Sequence, residues 1–431
     1  MIPALSAADP HANGLATGCY PGVTPRLMLP GDLREDLAAY RAAGGYAPIG
    51  DGAALIEAVE AAQLRGRGGA AFPMAVKLRS LADQHGEKYL LANGEEGEPA
   101  SIKDRWLLRR RPHLVLDGVL RAAVAIGASR AILYVSDEAA ARSVEAAVAE
   151  LGETVVPLSL HQVEPAYVAG EETAAVRAVN GGPAKPTDKP PRPFQSGVAG
   201  RPTLVANVET LANLPFIATE GAGRFREHGD GTGSPGTFLM TVSGACRRPG
   251  LYEVPMGVTL GQALEALTGL QGTPHGFLMG GFFAGLMGPR ALEVELSYDR
   301  LRAAGSGLGC GAVVVVGPDD CPVSAAADVL AYFARENAGQ CGACMRGTPA
   351  MSKVADALSR GTATAAEVEK LRGWSVSLIG RGACNLLDGA AFVAASLFRE
   401  FPDEVDTHLA GRCEACASQM SNPAASRFCI A

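Results

Sequence analysis

The chain has 431 residues, 48% of them hydrophobic and 19% charged, so it can bury several cores and does not belong to the disordered class. Its formal net charge of −7 disfavours a nucleic-acid-binding protein, which would usually carry a basic excess. The N-terminus shows no basic segment followed by an apolar one, and the longest uncharged apolar stretch, 276–288, is too short to span a bilayer. We therefore expect a soluble, cytoplasmic protein. Ten cysteines in such a chain are more typical of metal ligands or bystanders than of disulfides.

The region from 52 to 235 alternates helical patterns with short apolar runs. This alternation predicts an α/β domain with a parallel sheet covered by helices. The predicted helices are 53–62, 114–126 and 137–151, and the predicted strands are 89–92 and 131–135. A Pro-rich connection, 183–202, is expected to form an ordered wrap or a stiff loop.

The second half of the chain changes character twice. Apolar runs at 237–244 and 311–317 predict strands, with a short helix at 257–267. From 325 onward the pattern is helical, with a capping box at Thr364 and Glu367. The expected organisation begins with an N-terminal extension (1–51) and an α/β domain (52–235). A small β-rich domain (236–323) and a helical domain (324–410) follow, and the chain ends in a Cys-containing tail with little structure (411–431).

A glycine-rich loop, LRGRGGAAF, occupies residues 64–72. Its glycines leave backbone N–H groups open for a phosphate or a flat ring, and nearby cations add positive charge. The loop matches the dinucleotide fingerprint GxGxxA, but a helical pattern precedes it where that fingerprint needs a strand, so an ordinary Rossmann site is weakly supported. A plain Gly-rich turn is the alternative. The residues concerned are Gly66, Arg67, Gly68, Gly69 and Lys77.

Two Gly–Glu turns could bind the hydroxyl groups of a ligand. The first, ANGEEGEPASIKDR, follows a predicted strand, where open α/β sheets bind ligands. The second, YVAGEETA, places an aromatic residue beside paired carboxylates, which suits a planar cofactor with hydroxyls. The alternatives are a solvated acidic turn and an acidic helix N-terminus, respectively. The residues are Asn93, Glu95, Glu96 and Glu98 in the first turn and Tyr167, Gly170, Glu171 and Glu172 in the second.

The cysteines fall into two candidate metal sets and four isolated residues. Cys341 and Cys344 form a CxxC pair with Cys384 further on, and Cys413, Cys416 and Cys429 form a second set in the tail. The CxxC spacing leaves iron–sulfur, zinc and redox chemistry open. The isolated residues, expected to be buried small hydrophobes, are Cys19, Cys246, Cys310 and Cys321. Histidines are scattered singly, so no histidine-based metal site is expected.

Taken in chain order, these motifs resemble those of the NADH-binding flavoprotein subunit of respiratory complex I, of NAD-reducing hydrogenases and of NAD-dependent formate dehydrogenases. The resemblance covers nearly the whole chain. The segments that carry it are RGRGGAAFP (65–73), NGEEGEP (93–99), KDR (103–105), YVAGEET (167–173), KPPRPFQSGVAGRPTLVANVETLANLP (189–215), the RRPGLYEVPMG segment ending at 257, GQCGACMRG (339–347) and RGACNLLDG (381–389).

The resemblance implies a Rossmann-like FMN-binding α/β domain, a β-grasp domain of the soluble-ligand-binding (SLBB) type and a C-terminal helical bundle. It implies a hydride transfer from NADH to FMN and single-electron transfer through a [4Fe–4S] cluster to a separate ferredoxin-like or [2Fe–2S] carrier, in an assembly that could sit on the inner face of a membrane. By resemblance FMN would be held by Gly66–Gly69, Lys77, Asn93, Glu95, Gly170, Glu171 and Asn207, with Glu96 and Thr210 completing the set. The NADH side would be lined by Phe72, Glu98, Tyr167, Glu172 and Lys189, and the cluster would be held by Cys341, Cys344 and Cys384.

Three residues depart from the family pattern. Ala338 stands where the family has the first cluster cysteine, so the cluster could keep a non-cysteine ligand, be [3Fe–4S], recruit a tail cysteine or be absent. Arg192 replaces an aromatic residue, and its charge could favour the 2′-phosphate of NADPH. Ala206 replaces an asparagine and loses a cofactor hydrogen bond. These departures indicate an accessory paralogue. The alternatives are an FMN-binding electron relay that does not use NADH and a scaffold without cofactors.

Overall fold

The structure is a computed structural model that describes residues 15–29, 31, 33–229, 234–418 and 430. Within these residues the strands form two sheets. The strands are β1 (Ala16–Cys19), β2 (Tyr89–Asn93), β3 (Arg130–Val135), β4 (Leu158–Gln162), β5 (Thr203–Asn207), β6 (Thr237–Gly244), β7 (Gly250–Pro255), β8 (Gly276–Met279), β9 (Leu286–Met287) and β10 (Ala312–Val316).

The first helices pack around the first sheet, a few cover the second sheet, and the last ones form a helical unit without strands. They are α1 (Leu37–Ala42), α2 (Gly52–Ala61), α3 (Met74–Ala82), α4 (Lys103–Arg110), α5 (Pro112–Ile126), α6 (Glu138–Leu151), α7 (Glu172–Val179), α8 (Val208–Ala212), α9 (Leu214–Arg226), α10 (Leu260–Leu267), α11 (Tyr298–Ala303), α12 (Pro322–Glu336), α13 (Gly342–Ser359), α14 (Ala365–Ser377), α15 (Leu386–Glu400), α16 (Pro402–Ala410) and α17 (Glu414–Ser418). None of them, over the residues described, is long and apolar enough to cross a membrane.

The first sheet is parallel throughout and has the order β4-β3-β2-β5. Its central strands are buried on both faces, which explains why they read as continuous apolar runs. The predicted strands 89–92 and 131–135 are β2 and β3, and the mixed α/β architecture with a parallel sheet is confirmed. Asn93 at the end of β2 pairs with Asn207 at the end of β5, so two candidate site residues share one edge of the sheet.

The helices that pack on this sheet begin and end where their sequences favour it. The helix α5 starts with Pro112, whose missing N–H costs nothing at this position, and it ends at Gly127 in the left-handed conformation. Asp137 caps α6 by accepting a hydrogen bond from the backbone N–H of Ala140. The predicted helices 114–126 and 137–151 therefore correspond to α5 and α6.

The second sheet has six strands in the order β1-β7-β6-β10-β8-β9 and mixes parallel with antiparallel pairs. On β10 the side chains of Val313 and Val315 pack with α10, whereas Val314 and Val316 pack with the C-terminal helices. Burial on both faces explains the unbroken valine run. The stretch expected as an N-terminal extension supplies β1, which pairs in parallel with β7.

The C-terminal helices α12 to α16 pack on one another around a common apolar core. The capping box predicted at the start of α14 is confirmed, because Thr364 and Glu367 bond reciprocally there. The expectation for the tail is wrong for residues 411–418. These residues include α17, and Cys413 and Cys416 pack against the helical core. Residue Cys429 lies outside the described residues.

Candidate functional site

The two Gly–Glu turns meet at the carboxyl edge of the first sheet. The Nδ2 atom of Asn93 donates to the carbonyl oxygen of Gly170 at 2.7 Å, although the two residues are 77 positions apart. Oδ1 of Asn93 also accepts a hydrogen bond from the backbone N–H of Glu95 at 3.3 Å. A Cβ placed on Gly97 would lie 2.6 Å from the carbonyl oxygen of Ala166 and 2.7 Å from Cα of Tyr167. Only a glycine allows the turns to approach this closely.

Two carboxyl groups of the first turn are buried. The side chains of Glu95 and Glu98 belong to residues only 6% and 9% exposed. Burial raises the pKa of each to about 8, and the charge of Glu96 adds to the effect. Among the described residues no donor reaches Oε1 of Glu95 or Oε2 of Glu98. Such groups are costly unless a partner satisfies them, so these oxygens are open positions for hydroxyl or amide donors of a ligand.

Residues from other elements surround Glu98, and among them only Tyr167 belongs to a motif of the sequence. Tyr167 lies close enough to Glu98 for the carboxyl group to help burial raise the pKa of the tyrosine, and the ring of Tyr167 packs edge-on against Tyr332 at 5.6 Å. The hydroxyl of Tyr332 donates to the carbonyl oxygen of Gly97 at 3.2 Å. A Cβ on Gly281, in the loop after β8, would lie 2.7 Å from the Glu98 carboxyl carbon. In the sequence the segment containing Gly281 is only an apolar stretch, so its contact with the site could not be predicted.

The glycine loop lies over the end of β5. Its start is closed by a hydrogen bond from the N–H of Gly66 to the carbonyl oxygen of Phe72 at 2.9 Å. A Cβ on Gly68 would lie 3.1 Å from Cβ of Asn207, and Gly69 adopts φ +114°, which a residue with a side chain rarely tolerates. The ring of Phe72 is 47% exposed on this loop. The loop therefore presents backbone and one aromatic ring at the same sheet edge as the buried carboxyls.

A buried network of charged side chains holds Asn207 in place. Nζ of Lys103 lies 2.7 Å from Asp104 and 3.0 Å from Glu209, and it donates to Oδ1 of Asn207 at 3.3 Å. Nδ2 of Asn207 donates to Asp104 at 2.8 Å. Burial raises the pKa of Asp104, and the Lys103 ammonium opposes that rise. Asn207 is thereby held in one orientation at the start of α8. The KDR motif signalled Lys103 and Asp104, but no local pattern connects them with Glu209.

The second turn and the Pro-rich connection place charged side chains of both signs next to one another. One oxygen of Glu171 accepts from the first N–H groups of α7, and the other pairs with Lys189. Lys189 and Arg192 also lie 3.7 Å and 3.5 Å from Glu172. Nζ of Lys77 donates to the carbonyl oxygen of Val205 at 3.0 Å, and burial lowers its pKa. These side chains are close to the sheet edge, and Arg192 remains exposed to solvent.

Three residues predicted to bind the cofactor make hydrogen bonds within the chain. The guanidinium of Arg67 is buried and donates to Tyr298 and to the carbonyl oxygen of Thr237, both at 3.1 Å, so it ties the loop to the second sheet. The carboxylate of Glu96 accepts from the hydroxyl of Ser101 and from the first N–H groups of α4. It caps that helix and is not free for ligand hydroxyls. The predicted Thr210 receives the N–H of Arg67 at 2.8 Å and positions the loop.

The three cysteines predicted to bind a metal cluster come together beside this site. Cys341 precedes α13, Cys344 lies in its first turn and Cys384 precedes α15. Burial raises the pKa of Cys344 to about 12, and both other thiols add to the rise, so the three groups are close neighbours. Burial also raises the pKa of Cys384, which Glu171 and Lys189 then shift in opposite directions. Three thiols beside the second Gly–Glu turn fit three irons of a cluster, and Ala338 offers no fourth thiol.

Cys413 and Cys416 do not complete this set, and Cys321 is buried, as the sequence predicted. Cys413 and Cys416 lie with His408 and Cys321 at the start of α12, whereas Ala338 follows the end of that helix. A helix of that length separates its ends by about 22 Å, so neither cysteine can replace the missing ligand.

The fold and the site define a chain with a ligand-binding sheet edge next to a cysteine cluster, and comparison with known proteins agrees. The Nuo51 FMN-binding domain family matches residues 59–216, and the NADH-ubiquinone oxidoreductase-F iron-sulfur binding region matches 324–408. The chain is 36% identical over 400 residues to an NADH-quinone oxidoreductase subunit of Rhizobium meliloti, covering 87% of this chain and 95% of the relative. It is 33% identical over 377 residues to the NADP-reducing hydrogenase subunit HndC of Solidesulfovibrio fructosivorans, covering 83% and 76%.

A solved structure agrees with these sequence relatives. A chain of the NAD+-reducing [NiFe]-hydrogenase, crystallised in its air-oxidised state, superposes with a TM-score of 0.77 and 32% identity, covering 88% of this chain and 67% of that one. The chain belongs to the family of NADH-quinone oxidoreductase subunits that carry the Nuo51 FMN-binding domain. This membership brings an FMN-binding domain and an iron–sulfur-binding region, and the residues at both sites fit those groups. The unpaired carboxyl oxygens suit a hydroxylated ligand, and the three thiols suit iron.

Proposed function

We propose that this chain is a flavin-dependent NADH dehydrogenase module that passes electrons singly through an iron–sulfur cluster to a partner protein. The observation that carries the proposal is the pair of buried carboxyls, Glu95 and Glu98, with unsatisfied oxygens at the carboxyl edge of the parallel sheet. Bound FMN would supply the conversion of a two-electron hydride donor into single-electron transfers. No side-chain acid is assigned to the hydride transfer, so the protein acts by positioning and electrostatics.

The chain's own residues divide this work between two sides of the sheet edge. We propose that the glycine loop, Asn93, Glu95 and Asn207 hold FMN, with the Lys103 network keeping Asn207 in place. Phe72, with its half-exposed ring, and Glu98, with Tyr167 close to its carboxyl group, would line the dinucleotide side. Lys77, Gly170 and Glu171 would complete the FMN side, and Glu172 and Lys189 would complete the dinucleotide side.

The cysteine set provides the exit for electrons. Cys384 lies close enough to Glu171 and Lys189 for their charges to act on its thiol, so the cluster would lie next to the second Gly–Glu turn. Large apolar side chains on the same helical unit are exposed, among them Met345, next to Cys344, and Val376. We propose that a separate ferredoxin-like or [2Fe–2S] carrier covers them. The relatives named above are subunits of larger oxidoreductases and hydrogenases, and we place this chain in the cytoplasm, held peripherally at the membrane through such partners.

The domain organisation is proposed on the same basis. The four-stranded parallel sheet and its helices would be the FMN-binding Rossmann-like domain, 52–235. The six-stranded sheet would be the β-grasp, SLBB-like domain, 236–323, with β1 from 1–51 added at its edge. The helices from 324 to 410 would be the iron–sulfur domain, followed by the tail, 411–431.

A glycine-to-alanine pair tests the proposal. In Gly97→Ala the new methyl would meet backbone atoms of Ala166 and Tyr167 and force the two turns apart. In the matched control Gly223→Ala nothing lies within 4 Å of the added carbon. We expect the control to bind FMN, measured by quenching of flavin fluorescence, and to reduce ferricyanide with NADH as the unmutated chain does. Gly97→Ala is expected to lose both properties. Equal FMN affinity in the two variants, or no FMN-dependent NADH oxidation in the unmutated chain, would contradict the proposal.

A further inference from the structure

A second candidate metal centre lies away from the flavin site and from the cysteines around α13. The donor atoms of Cys321, His408, Cys413 and Cys416 all lie within 4.8 Å of one another. Sγ of Cys321 is 3.6 Å and Sγ of Cys416 is 3.4 Å from Nε2 of His408. Among the residues that the structure describes, this is the one group of three or more Cys, His, Asp or Glu side chains with such spacing.

The spacing identifies the kind of metal. A tetrahedral Zn²⁺ with Zn–S bonds of about 2.3 Å and Zn–N bonds of about 2.0 Å separates its ligand atoms by roughly 3.5–3.8 Å. The two separations to the His408 nitrogen are close to the lower end of this range. An iron–sulfur cluster binds its protein ligands on different irons and holds them further apart. We propose that Cys321, His408, Cys413 and Cys416 bind a single structural Zn²⁺ ion, a site independent of the iron–sulfur cluster and of the proposed function.

Hydrogen bonds orient two of the four side chains toward a shared metal position. Nδ1 of His408 donates to the carbonyl oxygen of Glu404 at 2.8 Å, which leaves Nε2 as the nitrogen with a free lone pair. The backbone N–H of Cys416 donates to Sγ of Cys413 at 3.4 Å. Cys321 also stands at the N-terminus of the 15-residue helix α12, which fixes the position of its sulfur relative to the helical unit. A disulfide between two of these cysteines would not involve Nε2 of His408, which a metal ion would bind.

The position of the site gives the ion a structural role. Cys321 lies between β10 and α12, His408 lies in the last turn of α16, and Cys413 and Cys416 follow in the next segment. The ion would join the first and last helices of the helical unit and fix residues 411–418 to them. Four protein ligands leave no open coordination position, so the ion is not expected to take part in chemistry.

Metal analysis of the full-length chain, purified with its cofactors, tests the proposal. We expect one zinc per chain in addition to iron, and X-ray absorption at the zinc edge should show three sulfur ligands and one nitrogen ligand. This measurement on the unmutated protein does not depend on any variant folding. Zinc below a stoichiometric amount, iron in its place, or a ligand set rich in oxygen would overturn the proposal.

Variants then separate the two metal centres. Cys416→Ser is expected to lose zinc while keeping flavin and iron, whereas Cys341→Ser should lose iron and keep zinc. Cys19→Ser, which changes a cysteine outside both sets, serves as the control and should keep both metals. Full zinc content in Cys416→Ser would overturn the assignment of that ligand. Trypsin digestion of Cys416→Ser should release the C-terminal segment faster than digestion of the control.

Discussion

The buried carboxyl of Glu98 makes the stability of the flavin-free chain depend on pH in a defined direction. Its pKa is raised by burial from 4.5 to about 8. The folded chain therefore holds this proton more tightly than the unfolded chain, so the stabilisation is complete below about pH 4.5 and is lost as the pH rises through about 8. With about 1.4 kcal/mol per pKa unit, the loss between pH 6 and pH 8 amounts to about 2 kcal/mol.

The substitution Glu98→Gln removes the titrating group and keeps its shape. We expect the free energy of unfolding of the unmutated chain, measured by urea denaturation at the two pH values, to fall by about 2 kcal/mol more than that of the variant. The exposed Glu57→Gln serves as the control and should follow the unmutated chain. Equal pH dependence in the Glu98→Gln variant and the unmutated chain would refute the assignment of a raised pKa to this residue.

Three further substitutions test the supporting structure. Lys103→Met leaves two buried carboxylates without their cation and should lower the free energy of unfolding, measured by urea denaturation, by about 3–5 kcal/mol. The control Arg142→Ala breaks an exposed ion pair and should lower it by less than about 0.5 kcal/mol. Arg67→Met should destabilise by roughly 2–3 kcal/mol with unchanged FMN affinity by fluorescence titration, and a large loss of affinity would restore its predicted cofactor role. Cys341→Ser should lose iron, measured by elemental analysis, while retaining FMN; full iron content would exclude it as a ligand.

Local patterns predicted most of the fold. Hydrophobic periodicity and caps located α5, α6 and α14 because these signals depend on residues within one or two turns. The first Gly–Glu turn was predicted as a ligand site because it directly follows β2 in the sequence, and the second because an aromatic residue stands beside its paired carboxylates. Which carboxylate faces the site could not be predicted, since Glu96 bonds to the start of α4 while Glu95, its neighbour, is buried.

Contacts between distant segments account for the remaining differences. The role of Arg67 depends on Thr237 and Tyr298, which belong to the second sheet and its helix. Cys321 and His408 are 87 positions apart, and no local spacing connects them. Only the packing of α16 against α12 brings that pair together, so a scan for CxxC motifs finds half of the proposed zinc site and misses the rest.

An anaerobic titration of the FMN-reconstituted chain with NADH tests the proposed dehydrogenase activity most directly. We predict that the visible flavin absorbance bleaches as NADH approaches stoichiometric amounts, with parallel loss of the broad sulfur-to-iron absorbance if electrons reach the cluster. A flavin that binds but remains oxidised with both NADH and NADPH would contradict the proposed function.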